Sequence, residues 1–182
     1  MLKTIILGVI VTFGIVLLSC CNGYLYDKFY PYDLTLESPK TNYVVGDQIK
    51  LIAEVVSDQP ATIRVYKERT KSFSLSIRAA IGTQPDFADS DFGPSTPEAT
   101  AKDEIEVIEI GPRQPFQLEL QGQVIQTKSK GILFDFGEFG TFNKSRPGNF
   151  LAWGYWRPIS PEPTDSLEDF TSSILLNIAL PK

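Results

Sequence analysis

Four small groups of side chains in this sequence have types and spacings that could support chemistry. Cys20 and Cys21 are adjacent and are the only thiols among the 182 residues. Asp86, Asp89 and Asp91, with Glu98 behind them, bring carboxylate oxygens close together, as a calcium loop does to collect its roughly six to eight ligands. Asp135 and Glu138 lie within Phe134-Asp135-Phe136-Gly137-Glu138-Phe139-Gly140-Thr141-Phe142, where paired carboxylates beside a platform of sugar-stacking rings would suit a glycosidase. The stretch from Phe150 to Arg157 adds Trp153, Tyr155 and Trp156 to the supply of rings.

Each group also has a plainer reading. The acidic spacing departs from an EF-hand and its glycine is misplaced, which favours a solvated acidic loop and no metal. Asp135 and Glu138 are three apart in a strand–turn, and core phenylalanines alternating with edge charges account for Asp135 without catalysis. Histidine is absent, which removes Ser-His-Asp and Cys-His catalysis and His-based zinc sites. The serines around Ser90 and Ser95 lack nucleophile-elbow spacing, and no glycine loop cradles phosphate. The expectation is a protein that is not an enzyme and needs no cofactor. Its rings, Phe139, Phe142, Trp153, Tyr155 and Trp156, are candidates for a binding patch, with one face of the 150–157 strand in the core. The loop carboxylates Asp86, Asp89 and Asp91 are candidates for a binding loop.

The cysteines sit at the end of a segment with its own pattern. Met1 and Lys3 begin it, Thr4 to Leu18 follow without a charge, and Leu17-Leu18-Ser19-Cys20 ends it. An apolar run of roughly 15 residues fits a signal-peptide core and falls short of the ~20 that span a bilayer as a helix. Leu17-Leu18-Ser19-Cys20 resembles the lipobox of bacterial lipoproteins. That resemblance implies cleavage after residue 19 and a diacylglycerol on the sulfur of Cys20, with Cys21 as the alternative register. It further implies anchoring in the bacterial cell envelope, and the absence of aspartate after Cys20 favours the outer membrane. Two or three acyl chains give stable attachment, at ~0.8 kcal/mol per buried methylene.

Residues 20–32 then read as a tyrosine-rich tether and 33–182 as one domain of ordinary length. The chain holds 17 basic and 22 acidic residues, a net charge of −5. An acidic balance carries no footprint for nucleic acid, and only the lipid would draw the domain to an anionic membrane. With no cysteine past residue 21, the fold must rest on packing, which 42% hydrophobic and 12% aromatic content supports.

Period-two alternation supplies the elements that position these residues. It marks strands at Leu34–Leu36, Ile49–Val55, Ile63–Val65, Phe73–Ala79, Ile105–Ile110, Phe116–Leu120, Ile132–Phe136, Asn149–Trp156 and Ser173–Leu180. The 105–110 alternation breaks between Val107 and Ile108, so a bulge is expected there. Residues 82–103 read as a long surface loop, and 137–148 as a turn. No helical period is sustained after residue 20. The pattern predicts an all-β, antiparallel two-sheet sandwich.

Tyr43-Val44-Val45-Gly46-Asp47-Gln48-Ile49-Lys50-Leu51 is similar to the turn that leads into the second strand of bacterial immunoglobulin-like domains. Pro147-Gly148-Asn149-Phe150 is similar to the segment that opens their penultimate strand. The resemblance implies an immunoglobulin-like sandwich over most of 33–180, without the core cysteine pair. The functional expectation is a lipid-anchored envelope module that binds a protein partner through the 82–103 loop and the 137–148 turn. A periplasmic inhibitor or immunity lipoprotein acting on a toxin or hydrolase is the alternative.

Overall fold

The structure is a computed structural model, and it describes residues 32–86, 97, 99–157, 159 and 169–181. Cys20, Asp89 and Asp91 lie outside the described residues.

The alternating segments become strands, and the strands form two main sheets. The first has five strands in the order β1 (Asp33–Glu37), β3 (Gln48–Val56), β8 (Phe116–Gln126), β9 (Ile132–Asp135) and β10 (Thr141–Lys144), all antiparallel. The second runs β2 (Asn42–Val44), β13 (Ile174–Ala179), β11 (Gly148–Trp156), β5 (Phe73–Ile81) and β6 (Gln84–Pro85), with β12 (Asp169–Phe170) paired on β11. β2 is parallel to β13, and the other pairs are antiparallel. β4 (Ala61–Tyr66) and β7 (Ile105–Ile110) form a separate two-stranded ribbon. The protein is an all-β sandwich whose sheets are largely antiparallel. The first strand pairs with the first sheet, the next short strand runs parallel to the last, and the Pro147-Gly148 segment opens a strand flanked by β5 and β13.

The inner faces follow the alternation. Ile49, Leu51, Ala53 and Val55 of β3 face Leu75, Ile77, Phe150, Ala152 and Leu176 of the other sheet's inner face, and all are buried. Rings bridge the layers: Phe134 of β9 meets Phe150 of β11 edge-on, with centroids 5.2 Å apart. Phe116 of β8 lies 5.8 Å from Trp156 of β11. Full burial of such a side chain contributes about 1.5–3 kcal/mol. Close packing leaves no room at Gly154, where an added Cβ would sit 2.2 Å from the Phe73 ring and 3.1 Å from the Thr171 methyl. The buried backbone there is satisfied: Thr171 Oγ1 accepts a hydrogen bond from Gly154 N at 2.8 Å.

Three sequence expectations change. The 137–148 segment is more than a turn. Gly140, at φ 106°, reverses the chain after a short 3-10 turn (Gly137–Phe139), and Thr141–Lys144 then pairs with β9 as β10, with Phe142 buried against the core. No bulge interrupts β7, whose register with β4 is continuous from Ala61↔Ile110 to Tyr66↔Ile105. The apolar run there breaks alternation because Val107 faces solvent at 63% exposure on the ribbon's uncovered side. The short strands β2, β6 and β12 carry too few residues for a period to be read.

The ribbon is fastened to the sandwich by charge. After β4 the chain makes a 3-10 turn (Arg69–Lys71), and its cations meet the acids that precede and open β7. Lys71 Nζ pairs with Asp103 at 2.5 Å and Glu68 at 2.9 Å, Arg69 pairs with Glu106 at 2.5 Å, and Lys67 pairs with Glu104. Lys71 and Asp103 keep only 11% and 17% of their side-chain exposure. Hydrogen bonds from the Lys71 ammonium and from Thr100 hold the Asp103 carboxyl below its ordinary value, and Lys67 does the same for Glu104. Glu104 and Asp103 in turn raise Lys67 and Lys71. Ser72, wholly buried, joins the ribbon to both sheet strands: its Oγ accepts from Tyr66 N at 2.9 Å and its carbonyl accepts from Arg157 N.

Two outcomes follow from this packing. Gly154→Ala drives a methyl into a ring that cannot move, and it lowers the denaturant midpoint by an amount equal to about 1–3 kcal/mol. A neutral Gly154→Ala contradicts the tight register of β5 on β11. The carboxyls of the clasp are depressed, so their contribution is present above about pH 4 and is lost as pH falls through their folded values. The raised lysines keep theirs until the pH climbs past the ordinary lysine range. Thermal melts across pH are therefore flat in between, with an acid arm. Asp103→Asn lowers the melting temperature by a few degrees at neutral pH and flattens that arm. An unchanged acid arm in the variant removes the clasp from the account.

Candidate functional site

Part of each segment singled out from the sequence, 82–86 of one and 143–148 of the other, comes to one end of the sandwich. β5 ends at Ile81, turns at Gly82, and returns as β6 to Asp86. β10 ends at Lys144 and turns through Ser145, Arg146 and Pro147 into β11. The two segments line a single groove of about 410 Å³, bounded by Ala79, Ala80 and Asp86 on one side and by Asn143, Lys144 and Arg146 on the other. Asp86 is half-buried, and its backbone N–H donates to Ala79 O at 2.7 Å, which fixes where the long loop leaves the sheet. Lys144 is 6% exposed, whereas Ser145 and Arg146 are open to solvent.

A third turn adjoins this groove. β8 and β9 are joined through Thr127–Gly131, closed by Thr127 N to Gly131 O at 3.0 Å and Lys130 N to Thr127 O at 3.1 Å. The register puts Ile132 opposite Lys144. The contact is tight enough that a Cβ on Gly131 would lie 2.4 Å from Lys144 O. Lys128 and Lys130 on this turn are exposed.

The rings do not form one patch. Phe142 is wholly buried, Trp156 is 2% exposed and Phe139 is 7% exposed, so these are packing side chains. Phe142 stacks edge-on against Phe136, and Phe139 against Phe73. Trp156 shares the inner face with Ala152 and Gly154. Trp153 and Tyr155 point the other way, half-exposed on the outer face of the second sheet, with centroids 6.3 Å apart. The Arg78 guanidinium lies 5.8 Å from the Trp153 ring. Leu175 of β13, 41% exposed, is on the same face.

The carboxylates also separate. Asp135 Oδ1 accepts from Gly137 N at 3.0 Å, a turn-forming bond that leads into the 3-10 helix, while Glu138 faces solvent. Among the described residues no group of three or more acids, cysteines or histidines could hold a metal. Asp86 is the one member of the acidic loop set that the structure describes in the groove.

Sequence reasoning passed over Lys128 and Lys130, and took in Lys144 and Arg146 only as members of the 137–148 turn. The signal was present: Lys128-Ser129-Lys130-Gly131 and Lys144-Ser145-Arg146-Pro147-Gly148 are two basic turns of similar make-up, and residues 120–134 and 139–161 contain no acid. Only the pairing of β9 with β10 brings them together.

No protein-family model matches the chain, and the comparison with curated proteins gives no match. Among solved structures, a β-glucosidase from Erythrobacter marinus aligns over 81% of this chain and 16% of its own, with 10% identity and a TM-score of 0.32. The chain spans under one fifth of that enzyme's length, and at this TM-score the likeness bears on neither fold nor activity.

The division of the rings is measurable. Phe142→Ala empties a core site and costs about 3–5 kcal/mol of stability. Trp153→Ala trims a half-exposed ring and costs less than about 1.5 kcal/mol, with folding kept intact. Equal costs in chemical denaturation contradict the placement of Phe142 in the core.

Proposed function

We propose that this protein is a lipid-anchored module of the bacterial cell envelope that works by docking a protein partner. The carrying observation is the groove in which the start of the 82–103 loop and the 143–148 turn meet at one end of a packed sandwich. Loops held on a rigid scaffold are where recognition usually resides. The anchoring half of the reading is supported by Leu17-Leu18-Ser19-Cys20 after an uncharged apolar run. The binding half is supported by the candidate pair itself: Asp135 is spent on a turn while Glu138 faces solvent. The outer-face pair Trp153 and Tyr155 offers a second contact surface on the same sheet that ends in the groove.

The test begins with the anchor. Cells fed a clickable fatty acid label the wild-type protein, and Cys20→Ser abolishes the label and moves the protein out of the membrane fraction. Retention of both in Cys20→Ser overturns the anchored reading. Affinity capture of the lipidated protein from detergent-solubilised membranes, followed by mass spectrometry, then identifies the partner. A hydrolase or toxin whose activity is abolished at equimolar protein makes the module an inhibitor.

A further inference from the structure

The cations of this domain are not spread evenly. At the end where the chain enters at Asp33, Lys67, Arg69 and Lys71 are closed in ion pairs with Glu104, Glu106, Glu68 and Asp103. Phe73, just after that clasp, lies opposite Trp156, and Ser172, near Thr171, donates its N–H to Leu34 O, so the clasp and the start of β1 share one end. The β8–β9 and β10–β11 turns are at the other. Residue 55 of β3 pairs with residue 116 and residue 48 with residue 123, so the path along β8 from the level of Asp33 to Gln126, where the next turn begins, covers roughly 36 Å at ~3.3 Å per residue.

At that far end, Lys128, Lys130 and Arg146 are exposed, and among the described residues none makes an ion pair with a carboxylate. A closed pair, Lys40 with Asp47 at 2.8 Å, ties the β1–β2 connection to the β2–β3 turn. Among the described residues Asp86 is the only acid lining the groove. A chain of net charge −5 thus carries a basic rim on the end farthest from Asp33. Arg146 supplies a planar fork suited to carboxylates, and the lysines supply point charges. Asn143 is exposed on the edge strand β10 at the same end. The acidic remainder of the surface repels acidic chains, which confines such a partner to this rim.

We propose that Lys128, Lys130 and Arg146 form the docking site for an acidic, carboxylate-rich segment of the partner protein. The inference rests on the reading that this end of the sandwich recruits a protein, and it specifies the charge of what is recruited. The site lies at the end of the domain opposite Asp33.

The test uses the full-length protein in detergent and a fluorescent poly-glutamate peptide. Binding is saturable, and it weakens at least tenfold as salt rises from about 0.05 M to about 0.5 M. The triple variant Lys128→Glu, Lys130→Glu, Arg146→Glu loses at least about tenfold in affinity while its circular dichroism and melting are unchanged. Should the reversed variant lose its sheet signal, the triple Gln variant decides, with a smaller loss in the same direction. Absence of saturable binding, or equal binding by the variants, overturns the inference. So does saturable binding of polyphosphate or of phosphatidylglycerol vesicles without binding of poly-glutamate, which assigns the rim to phosphate polymers or lipid. Equal recovery of one partner by wild type and triple variant in membrane pull-downs overturns this inference and leaves the proposed function standing. A Cys20→Ser protein that still fractionates with membranes strikes the anchoring reading alone.

Discussion

The contact of two inner sheet faces, sealed by rings that cross between them, is what the rest of this structure depends on. Phe134 against Phe150 and Phe116 against Trp156 join the sheets. With Cys20 and Cys21 the only cysteines, no covalent staple is available inside the domain. Interiors pack at crystal-like density, so each ring fixes its neighbours. Gly154 shows how far this goes: one missing methyl makes the space that the Phe73 ring occupies. The loops at the ends inherit their positions from this packing.

Charge is organised on top of that packing. At one end it is structural, because the β4–β7 ribbon belongs to neither main sheet and is held through Lys67, Arg69 and Lys71 as well as through Ser72. At the other end the cations face solvent on turns that hold their shape through backbone hydrogen bonds. Exposed pairs contribute little to stability individually, but the nearly closed Lys71–Asp103 pair is less screened than the rest. The net charge describes neither end. Its acid excess coexists with a rim that attracts acids, and that contrast gives the two ends different roles.

Much of the fold was legible because half-buried strands write their geometry into a period of two. Phe73, Leu75 and Ile77 alternate with polar residues in the sequence and are buried in the structure for the same reason. The same rule put Trp153 and Tyr155 on one face and Trp156 on the other. What failed did so for physical reasons. β10 was read as turn because Gly140 and Ser145 bracket only four strand residues, and a single buried ring, Phe142, cannot establish a period. Val107 suggested a bulge because the alternation model assumes one covered face, and the ribbon leaves that residue uncovered. The ring patch came apart because ring content is visible in a sequence, whereas which ring finds a cavity is not.

The sequence by itself determined the class of fold and the absence of His- or disulfide-based chemistry, since both follow from local period and residue inventory. It also carried the lipobox-like segment, which is a linear signal. The tertiary structure alone decided which distant residues became neighbours. Asp86 and Arg146 line one groove, and the turn carrying Lys128 and Lys130 shares its end of the sandwich, because β9 pairs with β10 and β11 with β5. Such pairings are settled by how two apolar faces fit together over the whole domain. No window of the chain contains that information.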